Sequence, residues 1–223
     1  MLLYVIYSVF LLSYMILKTG DKFHLRAANK ILLATMYLAN GIFRFIQNGS
    51  NSHLFIVMVA LFFAFWGDVL LLFVFKYGGI SFSICGSVFT VFCISNLVRC
   101  KAAPSFYLIG TGITLLFYSF FILAEKRNLI YIKKGKFFSY TYMLITTLQG
   151  AFGISLALCE RSLGTLLLGV GLALFMISDY FLAVYRFPSD EMPRKTVNLL
   201  SRISSIAYFP GLLLISESVK YWG

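Results

Sequence analysis

The sequence predicts an all-α polytopic membrane protein, a bundle of eight transmembrane helices. Three features predict it. Hydrophobic residues make up 60% of the 223-residue chain and charged residues only 12%, about half the charged share of a soluble domain. The apolar residues gather into runs close to the ~20 residues a helix needs to cross the hydrocarbon of a bilayer. The runs do not alternate apolar with polar residues as strands would, and in lipid a backbone satisfies its own polar groups only as a helix or a closed barrel.

The first span, 2–17, is apolar from Met1, with no basic leader and no small-residue cleavage site. It therefore reads as a helix and not as a cleaved signal. "KTGDKFHLR" (18–26) closes it, and span 28–46 follows, ended by "QNGSNSH" (47–53). Span 54–75 stops at the basic "KYGG" (76–79), and span 80–98 stops at "RCKAAP" (99–104), whose Pro104 opens span 104–123. "EKRNLIYIKKGK" (125–136) separates that helix from 138–158, and "CERS" (159–162) separates 138–158 from 163–185. "RFPSDEMPRK" (186–195) precedes the last span, 197–216. These runs leave no room for a soluble domain, so residues 1–223 read as a single transmembrane domain.

The net charge of +11 would suit nucleic acid if it were clustered, but the basic residues sit between apolar runs. That pattern is an orientation signal and a contact with anionic membrane lipid, and no nucleic-acid partner is expected. Of the 19 Lys and Arg, fourteen fall on the side reached after spans 1, 3, 5 and 7. By the positive-inside rule both termini are non-cytoplasmic, in a multi-pass protein of the cell membrane. Cys85, Cys93, Cys100 and Cys159 have no paired-ligand spacing and read as packing residues. Gly110, Gly112, Gly150, Gly153, Gly164, Gly169 and Gly171, in spans 5 to 7, read as sites of close helix approach.

Two of the eight acids lie well inside spans: Asp68 in "AFWGDVLLLF" and Asp179 in "LFMISDYFLA". A carboxylate at such depth costs several kcal/mol unless it faces a polar interior. Asp68 precedes Lys76 by eight residues and Asp179 precedes Arg186 by seven, on spans running the same way. At 1.5 Å per residue both sit about 11–12 Å from one boundary. They are also 111 residues apart, which is consistent with two four-helix halves. Two carboxyls meeting at one depth cannot both ionise cheaply, so one stays protonated beside one carboxylate, the pair that acid-catalysed hydrolysis uses. The competing reading is that each acid makes a private hydrogen bond that joins helices.

Arg186 shares a helix face with Asp179, and Arg202 lies a turn or so into span 8 from the same side. Either could hold a phosphate through its guanidinium fork or simply snorkel to the interface. Asn96, Tyr208, Tyr142 and Gln149 are further polar residues at depth. The only histidines, His24 and His53, fall in loops, so no metal site is expected.

At these residues the chain resembles the lysoplasmalogenase family of integral membrane proteins, the YhhN type. The resemblance rests on Gly67-Asp68, on Ser178-Asp179 with Ala183, Arg186 and Phe187 in "SDYFLAVYRF", and on the span count and size. It implies hydrolysis of the vinyl ether of a lysophospholipid to a fatty aldehyde and a glycerophospho head group. Asp68 and Asp179 would be catalytic, and no cofactor would be required. From the residues themselves, Arg186 and Arg202 are the candidates for the lipid phosphate, and Ser178, Asn96 and Tyr208 are further candidate substrate contacts. The chain departs from the pattern in span 4, where Ser95 or Asn96 stands for a frequent His, and in span 8, where Tyr208 is kept without a following Gln. The residues leave the roles of the two aspartates interchangeable. They also leave open a proton-coupled transporter or lipid-handling protein, or a structural protein, built on the same acids.

Overall fold

A computed structural model describes residues 2–18, 23–49, 51, 53–132 and 135–222, the side chain of Leu2 excepted. The charges expected of Asp21, Lys22, Lys133 and Lys134 lie outside the described residues. Those residues form eight α-helices: α1 (Leu2–Leu17), α2 (Phe23–Gln47), α3 (Phe55–Phe73), α4 (Phe75–Arg99), α5 (Pro104–Lys126), α6 (Lys136–Glu160), α7 (Leu163–Arg186) and α8 (Arg194–Ser218). A 3-10 turn, Val219–Tyr221, extends α8.

Six of the helices, α3 to α8, are long and apolar enough to cross a membrane, consistent with a helical membrane bundle. The other two helices expected as spans fall short of that length or hydropathy for two physical reasons. α1 is apolar but has 16 residues, and α2 is long but carries His24, Arg26, Asn29, Lys30, Asn40 and Arg44. Large apolar side chains such as Val9, Ile16, Phe73, Val91, Leu108, Leu115 and Phe137 are more than half exposed, the outward belt expected of helices bathed in lipid.

The helix ends follow local chemistry. Pro104 opens α5 where its missing N–H costs nothing. Ser162 caps α7 by accepting a 3.2 Å bond from the Thr165 amide. The expected "KYGG" loop is a correction: Lys76 to Gly79 lie within α4, and the chain turns at Val74 alone, an extended residue with φ −139° and ψ 108°. Gly78 allows the tight turn, because a methyl there would come within 2.6 Å of Leu71, and Gly79 lets α6 approach α4, because a methyl there would come within 2.8 Å of Phe138.

Among the described residues the most extensive helix pairs are α7 with α8 and α3 with α4, and α6 packs on α4, α5 and α7. Small residues set the closest seams. A methyl at Gly169 would meet the Gly153 carbonyl oxygen at 2.7 Å, and one at Gly171 would meet the Gly211 carbonyl oxygen at 2.7 Å and Ile215 at 2.6 Å. Gly112 is the exception among the expected packing glycines, since a methyl there meets open space. Cys85 and Cys93 are buried in the core, while Cys100 and Cys159 bring their thiols to 3.6 Å at the ends of α4 and α6. The α5–α6 and α7–α8 loops meet through an Ile130–Pro188 bridge and a 2.9 Å bond from the Tyr131 amide to the Phe187 carbonyl.

Gly171→Val is expected to force α7 from α8 and destabilise the purified protein by about 1–3 kcal/mol, the usual cost of overpacking. Gly112→Val should shift the melting temperature little. A thermal-unfolding series in detergent compares them, and equal melting temperatures would contradict the tight α7–α8 seam.

Candidate active site

Asp68 and Asp179 reach one cavity of about 60 Å³, room for a few waters at ~10–15 Å³ each. α3 supplies Asp68 and Leu71, α4 Phe82, α7 Ser178, Asp179, Leu182 and Tyr185, and α8 Ser204, Ser205, Tyr208 and Phe209. Tyr14 and Lys18 come from α1 and its end, and Lys30 from α2. Both acids are almost fully buried.

Each carboxyl is held in a different way. Tyr208 donates to Asp68 Oδ2 at 2.7 Å and Tyr37 donates to the same oxygen at 3.1 Å. The Lys30 ammonium lies 3.1 Å from Asp68 Oδ1 and also donates to the Asp68 backbone carbonyl at 3.3 Å. Oδ1 therefore has an opposite charge beside it but no directed hydrogen bond among the described residues, and the atom itself is fully buried. Asp179 Oδ2 accepts from Tyr142 at 2.7 Å and Thr146 at 3.0 Å, both on α6. No basic group pairs with Asp179 among the described residues. With both hydroxyls on Oδ2, its Oδ1 is the oxygen left to carry a proton.

The sequence-predicted residues divide. Ser178 and Tyr208 line the cavity with the two acids, Ser178 sharing a 3.1 Å hydroxyl contact with Ser204. Arg186 and Arg202 are exposed and do not line it, and the Arg186 guanidinium rests on the Phe75 ring at 4.7 Å. Asn96 belongs to the other end of the bundle. It lies 22 residues beyond Val74 along α4, about 33 Å, against about 9 Å for Asp68 on the other arm of the turn. There Asn96 Oδ1 is 2.8 Å from His53 Nε2, in a polar pocket with Arg99, Glu160 and Trp222.

An apolar cleft adjoins the cavity. It is lined by Phe75, Gly79, Phe121, Phe138, Tyr142, Met143, Ala183 and Phe187, and it shares Leu71, Phe82 and Leu182 with the cavity. Tyr142 thus walls the cleft with its ring and holds Asp179 with its hydroxyl. Among the described residues, no three His, Cys, Asp or Glu side chains come together as a metal ligand set.

A family model described as the YhhN family matches residues 22–219. The chain belongs to the YhhN family, the family of lysoplasmalogenases. Searches of curated proteins and of solved structures each returned no match. The matched residues of this YhhN chain carry both aspartates and all the groups that hold them. Residues 2–18, with Tyr14 and Lys18, precede the match.

Lys30, Tyr37, Thr146 and Lys18 are the site groups that a reading of the sequence passes over, the lysines because each counts first as a loop charge. Helical periodicity gives the missing signal. Lys30 and Tyr37 are seven residues apart and share the face of α2 that buries Leu33, Ala34, Asn40 and Gly41. Tyr7 and Tyr14 are the buried residues of α1, and Lys18 continues their stripe by one turn.

Removing one partner of a buried ion pair leaves the other charge uncompensated, at a cost of about 3–5 kcal/mol. Lys30→Met is therefore expected to lower stability by about that amount, and Asp68→Asn added to it should recover most of the loss. A double-mutant cycle on thermal unfolding reads the coupling, and additive losses would argue against the pair.

Proposed function

We propose that this chain hydrolyses the vinyl ether bond of a lysoplasmalogen, with Asp179 as proton donor and Asp68 as the carboxylate that stabilises charge and directs water. The observation that carries the reading is the asymmetry of the two acids on one cavity: Asp68 has Lys30 beside it, and Asp179 has hydroxyl partners alone. A buried carboxylate without a cation costs far more than a neutral acid, so the proton belongs on Asp179 Oδ1.

The steps follow from that assignment. Asp179 delivers its proton to the outer carbon of the double bond, giving an oxocarbenium ion beside the Asp68 carboxylate. Water adds to the cationic carbon as Asp68 takes its proton, which forms a hemiacetal. Asp179, now ionised, removes the hemiacetal O–H proton while Asp68 returns a proton to the departing glycerol oxygen. The products are a fatty aldehyde and a glycerophospho alcohol, and both acids end in their starting states. Paired carboxylates divide the same labour around a glycosidic bond. Tyr37, Tyr208, Tyr142 and Thr146 hold the two carboxyls in place, and the apolar cleft, about 30 Å³ in volume, receives the first carbons of the hydrocarbon chain. In this reading all eight helices lie in the membrane, with both termini on the non-cytoplasmic side and the acid pair in the inner half.

The test is aldehyde release from lysoplasmenyl-ethanolamine by purified protein in detergent. Asp179→Asn is expected to lower the rate by about 10³-fold, within the range of a lost general acid, and Asp68→Asn by a comparable factor, with elution profiles unchanged. No aldehyde from well-folded wild type would sink the assignment. A pair of folded Asn variants that retain full activity would sink the mechanism.

A further inference from the structure

We propose that Lys18, with Ser205, is the receptor for the phosphate of the lipid head group; the proposal rests on the hydrolase reading above. Lys18 lies one residue beyond α1 and lines the cavity that holds Asp68 and Asp179. Its ammonium donates to the Ser201 carbonyl and to the Ser205 hydroxyl. It also lies 5.6 Å from the centroid of the Tyr14 ring and 5.3 Å from that of Tyr185. Two rings and a turn of α8 therefore fix this charge on the cavity wall. Lys30, Arg44 and Lys136 each have a carboxylate within 4 Å. Lys18 has none among the described residues, and it lines the cavity.

Burial reinforces the argument. Moving the ammonium out of water and near Lys30 and Arg26 pushes the Lys18 pKa down to about 7. A phosphate beside it would restore the lost compensation and hold the lysine charged. Serine hydroxyls complement a tetrahedral anion, and Ser204 and Ser205 stand on the same wall.

The order of the groups matches the order of the substrate. The apolar cleft is walled by α3, α4, α5, α6 and α7, whereas α1 packs on α2 and α8. The cavity lies between them, and the two share Leu71, Phe82 and Leu182. From one side to the other the protein therefore presents hydrocarbon-lined cleft, acid pair and ammonium. A lysoplasmalogen presents hydrocarbon chain, vinyl ether, glycerol and phosphate. Placing the vinyl ether at the acids carries the phosphate toward α1. Arg186 and Arg202, the cations that the sequence suggests for this task, do not reach the cavity. The residues matched by the family model begin at 22, so the match does not by itself imply a receptor at position 18.

The full-length protein in detergent tests this with two substrates, 1-alkenyl-glycerophosphoethanolamine and the phosphate-free 1-alkenylglycerol. Lys18→Met keeps the aliphatic stem and removes the charge. It is expected to lower the preference for the phosphate-bearing substrate, as a ratio of kcat/KM values, about tenfold and mainly through KM. Lys18→Arg should restore most of it, and Ser205→Ala should shift the ratio in the same direction by less. An equal loss on both substrates, or no loss, would overturn the receptor.

A second measurement does not need turnover: thermal stabilisation by a non-cleavable 1-alkyl lysophospholipid, compared with inorganic phosphate at equal concentration. Stabilisation of wild type by the lipid, lost in Lys18→Met, supports the receptor even if neither substrate is cleaved, an outcome that would remove the hydrolase reading and not the site. Equal stabilisation of wild type and Lys18→Met overturns the receptor. Stabilisation by inorganic phosphate but not by the lipid overturns the lipid as its source.

Discussion

The Lys30–Asp68 ion pair is the interaction around which the rest of the site is arranged. A carboxylate 1% exposed, well within an apolar helix, is sustainable only with a cation and hydrogen-bond donors around it. Lys30 and Tyr37 come from α2 and Tyr208 from α8, so neutralising one charge draws three helices together at one depth. The same solution also creates an inequality. Asp179, served by two hydroxyls of α6, has no such cation among the described residues. Two chemically identical side chains are thereby given different electrostatic surroundings, as a pair dividing acid and base roles requires.

The arrangement around the two acids has a shared grammar. In each half of the chain the helix before the acid supplies a tyrosine to it: Tyr37 of α2 to Asp68 of α3, 31 residues on, and Tyr142 of α6 to Asp179 of α7, 37 residues on. The halves then diverge. α2 adds a lysine where α6 adds a threonine, and α8 lends Tyr208 across to the first half's acid. This is the pattern expected if two similar hairpins were specialised in opposite directions around one cavity. The seams that bring α7 against both α6 and α8 are glycine-lined, at Gly153–Gly169 and Gly171–Gly211. Larger residues there would move Asp179 and Tyr208 relative to Asp68.

The helices were legible in the sequence because apolar runs of this length have few other fates in lipid. The carboxyls were legible because a charge at depth stands out. What the sequence obscured follows from the same physics read too coarsely. "KYGG" looked like a loop because it joins a charge to two glycines, yet those glycines serve close packing inside a helix and the turn needs one residue, Val74. Lysines near span ends looked like orientation signals, although a long flexible stem lets Lys18 and Lys30 reach inward as readily as outward. Asn96 looked deep by residue count along α4. A count along one helix does not say which end of the bundle that depth is measured from, and Asn96 lies at the end opposite the acids.

The cavity and the cleft together bear on which role for the acids is favoured. If the aspartates served only to join helices, their oxygens would be expected to close on partners and leave no void between them. Instead the two aspartates, each with its own partners, still line one shared cavity. A transporter would need that space to communicate with both faces of the membrane. The feature that adjoins it here is apolar, walled by Phe75, Phe121, Phe138 and Phe187, a surface suited to a hydrocarbon chain and not to an ion. Vinyl ether hydrolysis consumes one water and develops one positive charge, and it gains from excluding further solvent, because the attraction between an oxocarbenium ion and a carboxylate weakens as the local dielectric rises. A space for a few waters, lined on one side by hydrocarbon and on the other by a lysine, fits that requirement.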